Sequence, residues 1–139
     1  MDAIDPSGLT AADQELYNQC KGEALAFRAF THYDLVQMYA KRYVPGQSNS
    51  QDGVIYRKSS AIEELGRSSV EDTYKNIEAD FPEALSLLKG IEVNDVNHFS
   101  EKVVLGFLAR VALTKGDYAK AAQYAEQAIS VAEGEDRKL

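Results

Sequence analysis

The sequence predicts an all-α fold made of repeated helix pairs, two in number, with a long insertion in the first pair. Two observations predict it. Residues 103–129 carry small and apolar residues at three- and four-residue steps on both sides of Gly116 and Asp117. The same spacing recurs earlier in the chain, where its two halves lie far apart. Such steps place side chains on one face of a helix, so each half predicts a helix.

Residues 103–129 give the clearer repeat, and their spacing matches the tetratricopeptide (TPR) pattern of about 34 residues per unit. Gly116 can end one helix and Asp117 can cap the next. The two helices are predicted over about residues 98–115 and 118–133, with Gly134 past the end. The pattern rests on Leu105, Leu108, Ala109, Ala112, Ala121, Ala125 and Ala128. Such a pair builds a stacking surface without any nucleophile, so TPR-like helical repeats indicate binding.

The first long helix is predicted from Ala11 to about Tyr43, as one helix or as two joined near Gly22. Thr10 can cap it, because Asp13 follows at the third position. One apolar stripe is expected to form its buried face, with the cysteine as a small buried hydrophobe. The stripe consists of Leu16, Cys20, Ala24, Phe27, Thr31, Leu35 and Met38.

An irregular stretch, residues 44–68, separates this helix from the next one. It begins with turn-forming residues and includes a short apolar run at residues 54–56, either a short strand or an extended segment. Connections of this length are uncommon in compact domains and are often functional. Ser69 can then cap a helix that reaches about Lys89. Pro82 either kinks this helix or follows a new start that is capped by Asp80.

The earlier copy of the repeat combines these two helices. Ile77, Phe81 and Ala84 have the spacing of Ala121, Ala125 and Ala128, and Ala29 takes the place of Ala109. The separation from 29 to 77 is 48 residues, against 12 from 109 to 121, so the first unit holds 36 extra residues. We therefore predict a flexible lead-in (1–10), one TPR-like domain (11–133) with the insertion 44–68, and a tail (134–139).

Composition and motifs argue against several classes of function. A net charge of −7 disfavours nucleic acid as a partner. The one cysteine excludes an internal disulfide. His32 and Asp34 would point to different helix faces, and no phosphate loop, zinc spacing or nucleophile elbow occurs. No pair of carboxylates stands out as a glycosidase pair. The sequence thus predicts a protein that is not an enzyme and has no metal and no cofactor.

Two segments resemble a known family. Residues 21–43 are similar to the first long helix of the SusD/RagB-like outer-membrane nutrient-binding proteins, and residues 67–88 are similar to the helix that follows it. The first match rests on Gly22, Glu23, Ala24, Arg28, Ala29 and Leu35. The second rests on an Arg and a Ser before the helix and on Asp80 and Ala84. With the last repeat in the same order, the resemblance covers about residues 15–132.

The resemblance implies a non-catalytic segment of a surface lipoprotein at the cell outer membrane. Such a protein captures a glycan or another nutrient and passes it to a TonB-dependent transporter. Family members are several times longer, and Cys20 is not expected to match their lipidated N-terminal cysteine, since it falls within the predicted first helix. The alternatives are a free-standing TPR adaptor that binds a peptide and a purely structural module. Adaptors keep the turn within a repeat short, so the insertion favours the nutrient-binding family.

Three tyrosines bracket the insertion and are the candidate ligand-binding residues: Tyr39, Tyr43 and Tyr56. Their rings could stack on sugar faces or could instead hold the insertion against the helices. Arg28 is expected to form a structural ion pair with an acidic residue of a neighbouring helix, or else to contact ligand. The last helix has a wide apolar stripe, which predicts an exposed patch around Tyr124 and Ile129 and self-association through it.

Overall fold

The structure is a computed structural model that describes residues 4–93, 95 and 97–136. Within these residues a short 3-10 turn, Pro6–Gly8, precedes four helices. The helices are α1 (Ala11–Tyr39), α2 (Val70–Leu88), α3 (Glu101–Thr114) and α4 (Tyr118–Asp136). The described residues form no sheet; their one β-bridge is isolated, between Asp52 and Ser69. Helix α1 packs along α2 and α3 packs along α4, which confirms the all-helical fold with two TPR-like helix pairs.

Two capping residues fix the starts of α1 and α2 as predicted. The Thr10 hydroxyl accepts from the backbone N–H of Asp13 at 3.3 Å. The Ser69 hydroxyl accepts from the N–H of Asp72 at 3.0 Å and donates to the same residue's carboxylate at 2.8 Å. Each bond satisfies an N–H that has no partner inside the helix.

The ends of α1 and α4 differ from the predicted ones. Helix α1 stops at Tyr39, four residues early, because Asn49 folds the following chain into a turn. The buried Asn49 amide accepts from the N–H of Val44 at 2.7 Å and donates to that residue's carbonyl at 3.0 Å. Helix α4 passes through Gly134 and ends at Asp136. Residues 1–3 of the predicted lead-in and 137–139 of the predicted tail lie outside the described residues.

Helix α2 continues through Pro82, so the predicted alternative of a fresh helix start at Asp80 is wrong. The Asp80 carboxylate faces α1 instead. Asp80 as a whole is only 4% exposed. Ile77, Phe81 and Ala84 are fully buried, as the repeat pattern predicts for this helix.

The face of α1 that was expected to be buried is largely exposed. Leu16, Phe27 and Met38 are 59%, 60% and 65% exposed, and Cys20 is exposed as well. The buried face consists of Gly22, Leu25, Ala26, Ala29, His32, Tyr33 and Val36. Helix α2 packs against this face because its small residues allow a close approach. A Cβ on Gly22 would lie only 2.7 Å from Cγ of Leu88. Gly22 therefore serves packing and does not divide the helix.

Helix α4 is the least covered helix. Ala121, Tyr124 and Ala128 are half-buried, whereas Ala125 is exposed although the repeat pattern placed it at a close contact. Within the described residues α4 packs extensively against α3 alone, so its outer side has no neighbour. Of the predicted surface patch, Ile129 is 59% exposed, whereas Tyr124 packs partly against the core.

An ion pair connects the two helix pairs. The Lys115 ammonium at the end of α3 lies 2.7 Å from the Glu78 carboxylate of α2. Among the described helices, none combines the length and the low polarity that a membrane-spanning segment requires.

Candidate functional site

The insertion between α1 and α2 is closed at its base by backbone hydrogen bonds. Gly53 N–H donates to the carbonyl of Ser68 at 2.7 Å, and Ser68 N–H donates to the carbonyl of Val54 at 3.2 Å. This contact needs a glycine, because a Cβ on Gly53 would lie 2.5 Å from Thr73 Oγ1 and 2.7 Å from the Ser69 carbonyl. The apolar run at 54–56 is extended but forms no strand. Of the two predicted alternatives, the extended segment is therefore the correct one.

A buried polar cluster holds the insertion against both helices. The Arg28 guanidinium binds the Asp80 carboxylate through two bonds, Nε to Oδ2 at 2.6 Å and Nη2 to Oδ1 at 2.8 Å. The Tyr56 hydroxyl donates to the same Oδ2 at 2.7 Å. We call these three residues the clasp. The structural ion pair expected for Arg28 is confirmed, and its partner belongs to the second helix of the split repeat.

The electrostatics of the clasp favour one protonation pattern. The hydrogen bond to Asp80 raises the pKa of Arg28, so the guanidinium stays charged. Burial, followed by the hydrogen bond to Asp80, raises the pKa of Tyr56, so the hydroxyl stays a donor. Two bonds from arginine and one from tyrosine thus satisfy the nearly buried carboxylate, as a charge in this position requires.

His32 extends this arrangement along the insertion. Its ring stacks on Tyr56 with 4.1 Å between centroids. Nδ1 lies 2.7 Å from the carbonyl of Arg28, and Nε2 lies 3.2 Å from the backbone N–H of Arg57. A carbonyl can only accept and an N–H can only donate, so we assign the neutral tautomer with its proton on Nδ1. The His32 ring therefore has a structural role. Within the described residues, no group of three His, Cys, Asp or Glu residues is placed to hold a metal.

The three candidate tyrosines occupy three different environments. Tyr56 is 8% exposed and its hydroxyl is engaged in the clasp. Tyr43 is half-buried, with its ring edge-on to Tyr74 at 5.0 Å and the Lys115 ammonium 5.3 Å from its centroid. Tyr39 is 68% exposed at the end of α1. Tyr39 is therefore the one of the three whose ring is open to a ligand, and the other two hold the insertion in place.

Arg67 connects Tyr39 to the base of the insertion. Its Nε donates to the carbonyl of Gly53 at 2.7 Å, and its Nη2 donates to the carbonyl of Tyr39 at 3.2 Å. The backbone at Tyr39 is consequently fixed relative to the insertion. Residues 57–67 between these anchors are exposed, including Ile62.

Sequence reasoning missed an open groove of about 410 Å³ where α2, α3 and α4 meet. Its walls combine apolar side chains with the opposite charges of Lys89 and Glu101. The lining residues are Pro82, Leu85, Ser86, Lys89, Glu101, Leu105, Gln127, Ser130 and Val131. Helical periodicity carries no signal for a groove formed by three helices, so the structure was needed to find it.

Comparison with known proteins gives consistent matches. A SusD-like family model described as "Starch-binding associating with outer membrane" matches residues 4–113. The SusD-like protein P2 of Formosa agariphila is 29% identical over 128 residues, which are 92% of this chain and 24% of that protein.

Solved structures with a similar fold agree with the sequence matches. A proposed sugar binding protein of Bacteroides vulgatus has a TM-score of 0.81 at 29% identity, over 91% of this chain and 28% of that one. A SusD superfamily protein of Bacteroides thetaiotaomicron has a TM-score of 0.75 at 26% identity, over 88% and 27%. The chain thus spans about a quarter of the length of these relatives, and the likeness extends along nearly all of it.

Proposed function

The chain belongs to the SusD-like family, whose description is starch-binding and associating with the outer membrane, and on this premise we propose a non-catalytic, nutrient-capturing role. It acts as the TPR-like segment of a surface lipoprotein that binds a glycan or another nutrient. The captured nutrient passes to a TonB-dependent transporter in the outer membrane. The segment binds neither nucleic acid nor a cofactor.

One observation carries the ligand-binding part of this proposal: Tyr39 is an exposed ring on a fixed backbone. Arg67 holds the carbonyl of Tyr39, and the clasp holds the insertion beside the same helix. An exposed aromatic face on an anchored backbone suits stacking against the apolar face of a sugar ring. In this proposal Tyr39 contacts the ligand, while Tyr43 and Tyr56 position the insertion next to it.

The relatives support the nature of the ligand. A starch-binding family description and a structural neighbour proposed to bind sugar favour a carbohydrate. The insertion in the first helix pair, which holds residues 44–68, favours this role over that of a TPR adaptor. Oligosaccharides of α-linked glucose are therefore the first ligands to test.

The test is titration calorimetry of the chain with malto-oligosaccharides, comparing Tyr39→Ala with Tyr118→Ala. Tyr118 is a matched control, since it is 71% exposed and lies on α4. Aromatic stacking contributes about 0.5–1.5 kcal/mol, so Tyr39→Ala is expected to raise the Kd roughly 2- to 12-fold. Tyr118→Ala should leave the Kd unchanged. Equal effects of the two variants, or no binding by the unaltered chain, would refute ligand contact at Tyr39.

The transporter and the absence of catalysis are tested separately. The full-length parent protein is expected to co-purify with a TonB-dependent transporter encoded beside it, and a parent that purifies alone would contradict this partner. Incubation with starch should release no reducing sugar. Release that disappears when one carboxylate is replaced would overturn the non-catalytic role.

A further inference from the structure

Helix α1 has a second apolar face, which lies opposite its buried one. Leu16, Phe27 and Met38 are 59%, 60% and 65% exposed on it, and Cys20 and Ala24 lie exposed between them. The buried residues of α1 lie roughly half a turn away around the helix. The 22 residue steps from 16 to 38 correspond to about 33 Å of helix. An exposed apolar face of this length indicates an interaction surface.

We propose that this face binds a second copy of the chain, with the two α1 helices antiparallel. Its three large apolar residues are evenly spaced, since 27 − 16 and 38 − 27 are both 11. A two-fold axis at Phe27 therefore sets Leu16 of each copy against Met38 of the other. A closed dimer requires such a self-complementary patch. The two Phe27 rings meet at the centre, each also edge-on to Phe99 of its own copy at 6.4 Å between centroids, and the pair of rings adds an aromatic contact to the apolar one.

The charges at the two ends of α1 fit the same arrangement. Asp13 lies in the first turn of α1, 14 positions before Phe27, and the basic pair Lys41 and Arg42 follows the end of the helix at Tyr39. An antiparallel pair thus brings the acidic first turn of each α1 toward the basic pair that follows the other α1. All three residues are exposed. A uniformly basic partner would be repelled at one end of this face and a uniformly acidic one at the other, which favours a second copy.

The exposed side of α4 fits a second copy less well. Tyr118 and Ile129 are its large exposed apolar residues, and alanines lie between them. A two-fold axis midway between them would set Lys120 against Gln127 and Glu126 against Ala121, which pairs no opposite charges. We therefore assign the dimer contact to α1 and not to the α4 patch that the sequence suggested.

Sedimentation velocity over a range of concentrations distinguishes these two faces. Phe27→Glu and Ile129→Glu are matched changes, because the two side chains are 60% and 59% exposed. The unaltered chain and Ile129→Glu should form dimers, and Phe27→Glu should remain monomeric with unchanged helical content by circular dichroism. Met38→Glu provides a second variant in case Phe27→Glu fails to fold. A monomeric unaltered chain, or dimers lost in Ile129→Glu and kept in Phe27→Glu, would overturn the proposal.

The single native cysteine, Cys20, allows the antiparallel register to be tested by disulfide cross-linking. Position 34 lies seven residues after Phe27 and Cys20 lies seven before it, so Cys20 of one copy should face position 34 of the other. Asp34→Cys should therefore yield a disulfide-linked dimer on mild oxidation. The unaltered chain should not, since two Cys20 residues would lie about 21 Å apart along the helices, beyond disulfide reach.

Two controls make the cross-link specific. Glu63→Cys places a thiol on the exposed insertion and should form no comparable dimer. Adding Phe27→Glu to Asp34→Cys should abolish the cross-link. A cross-link that survives this addition, or one that is equally efficient in Glu63→Cys, would refute the antiparallel register.

Discussion

Arg28 and Asp80 form a two-bond ion pair between α1 and α2, with Nε–Oδ2 at 2.6 Å and Nη2–Oδ1 at 2.8 Å. The two residues are 52 positions apart in sequence. The pair connects the two helices of one repeat across the insertion that separates them. Because Tyr56 of the insertion binds the same carboxylate, one contact orders three segments at once.

Asp80→Asn should destabilise the fold by about 1–3 kcal/mol, since it removes the charge that Arg28 and Tyr56 bind within the core. Urea denaturation followed by circular dichroism measures this change. Glu83→Gln on the same helix is the control. The Glu83 carboxylate lies 3.1 Å from the ammonium of Lys21 and is half exposed. Surface pairs contribute about 0–1 kcal/mol, so equal losses in the two variants would contradict a special role for the clasp.

Tyr56→Phe should loosen the insertion more than it destabilises the helices. The lost hydroxyl leaves Asp80 with one donor fewer, at a cost of about 1 kcal/mol. Trypsin measures the loosening, because Arg57, Lys58 and Arg67 lie exposed in the insertion. Faster cleavage there is expected, while the exposed-ring variant Tyr39→Phe should be cut at the unaltered rate. Equal cleavage of both variants would show that the hydroxyl does not hold the insertion.

Gly53→Ala should destabilise the base of the insertion by about 1–3 kcal/mol through overcrowding. The added Cβ would lie 2.7 Å from the Ser69 carbonyl, a backbone atom that cannot turn aside as a side chain can. Gly66→Ala is the matched control in the same insertion, since nothing lies within 4 Å of its Cβ position. Thermal or urea unfolding compares the two. An unchanged midpoint for Gly53→Ala would mean that the contact is looser than described.

Local signals in the sequence were sufficient for the helix pairs. The caps at Thr10 and Ser69 depend on residues three positions away, and the repeat at 103–129 depends on spacing alone. The need of Arg28 for an acidic partner followed from its place near apolar residues. Its identity did not, because many carboxylates were available and only the fold brings Asp80 to it.

Sequence periodicity could not choose between the two faces of α1. Both faces carry apolar residues at helical spacing, and each includes an aromatic ring, Tyr33 on the buried face and Phe27 on the exposed one. The choice depends on how closely α2 can approach, which Gly22, Ala26 and Ala29 determine on the buried face. The candidate site was limited in the same way: two of the tyrosines precede the insertion and one lies within it, but burial distinguishes Tyr39 from Tyr43 and Tyr56 only once the insertion is folded.

The contact between His98 and Glu23 should make stability depend on pH. His98 Nδ1 lies 2.7 Å from the Glu23 carboxylate, and this hydrogen bond, followed by attraction to the charge, raises the pKa of His98 above its usual 6.5. A pKa raised by folding means that the folded chain holds the proton more tightly than the unfolded chain does. The stabilisation is therefore complete below about pH 6.5 and is lost as the pH rises through the pKa of His98 in the folded chain.

An NMR titration of the histidine rings should place the pKa of His98 above 6.5, with Glu23→Gln lowering it. Comparing the unaltered chain with His98→Gln in urea gives the matching stability test. The difference in unfolding free energy should be larger at about pH 6 than at about pH 8.5, because the protonated ring gains more from the Glu23 carboxylate than the neutral ring does. A difference that grows with rising pH would reverse the sign and show that Glu23 prefers the neutral ring.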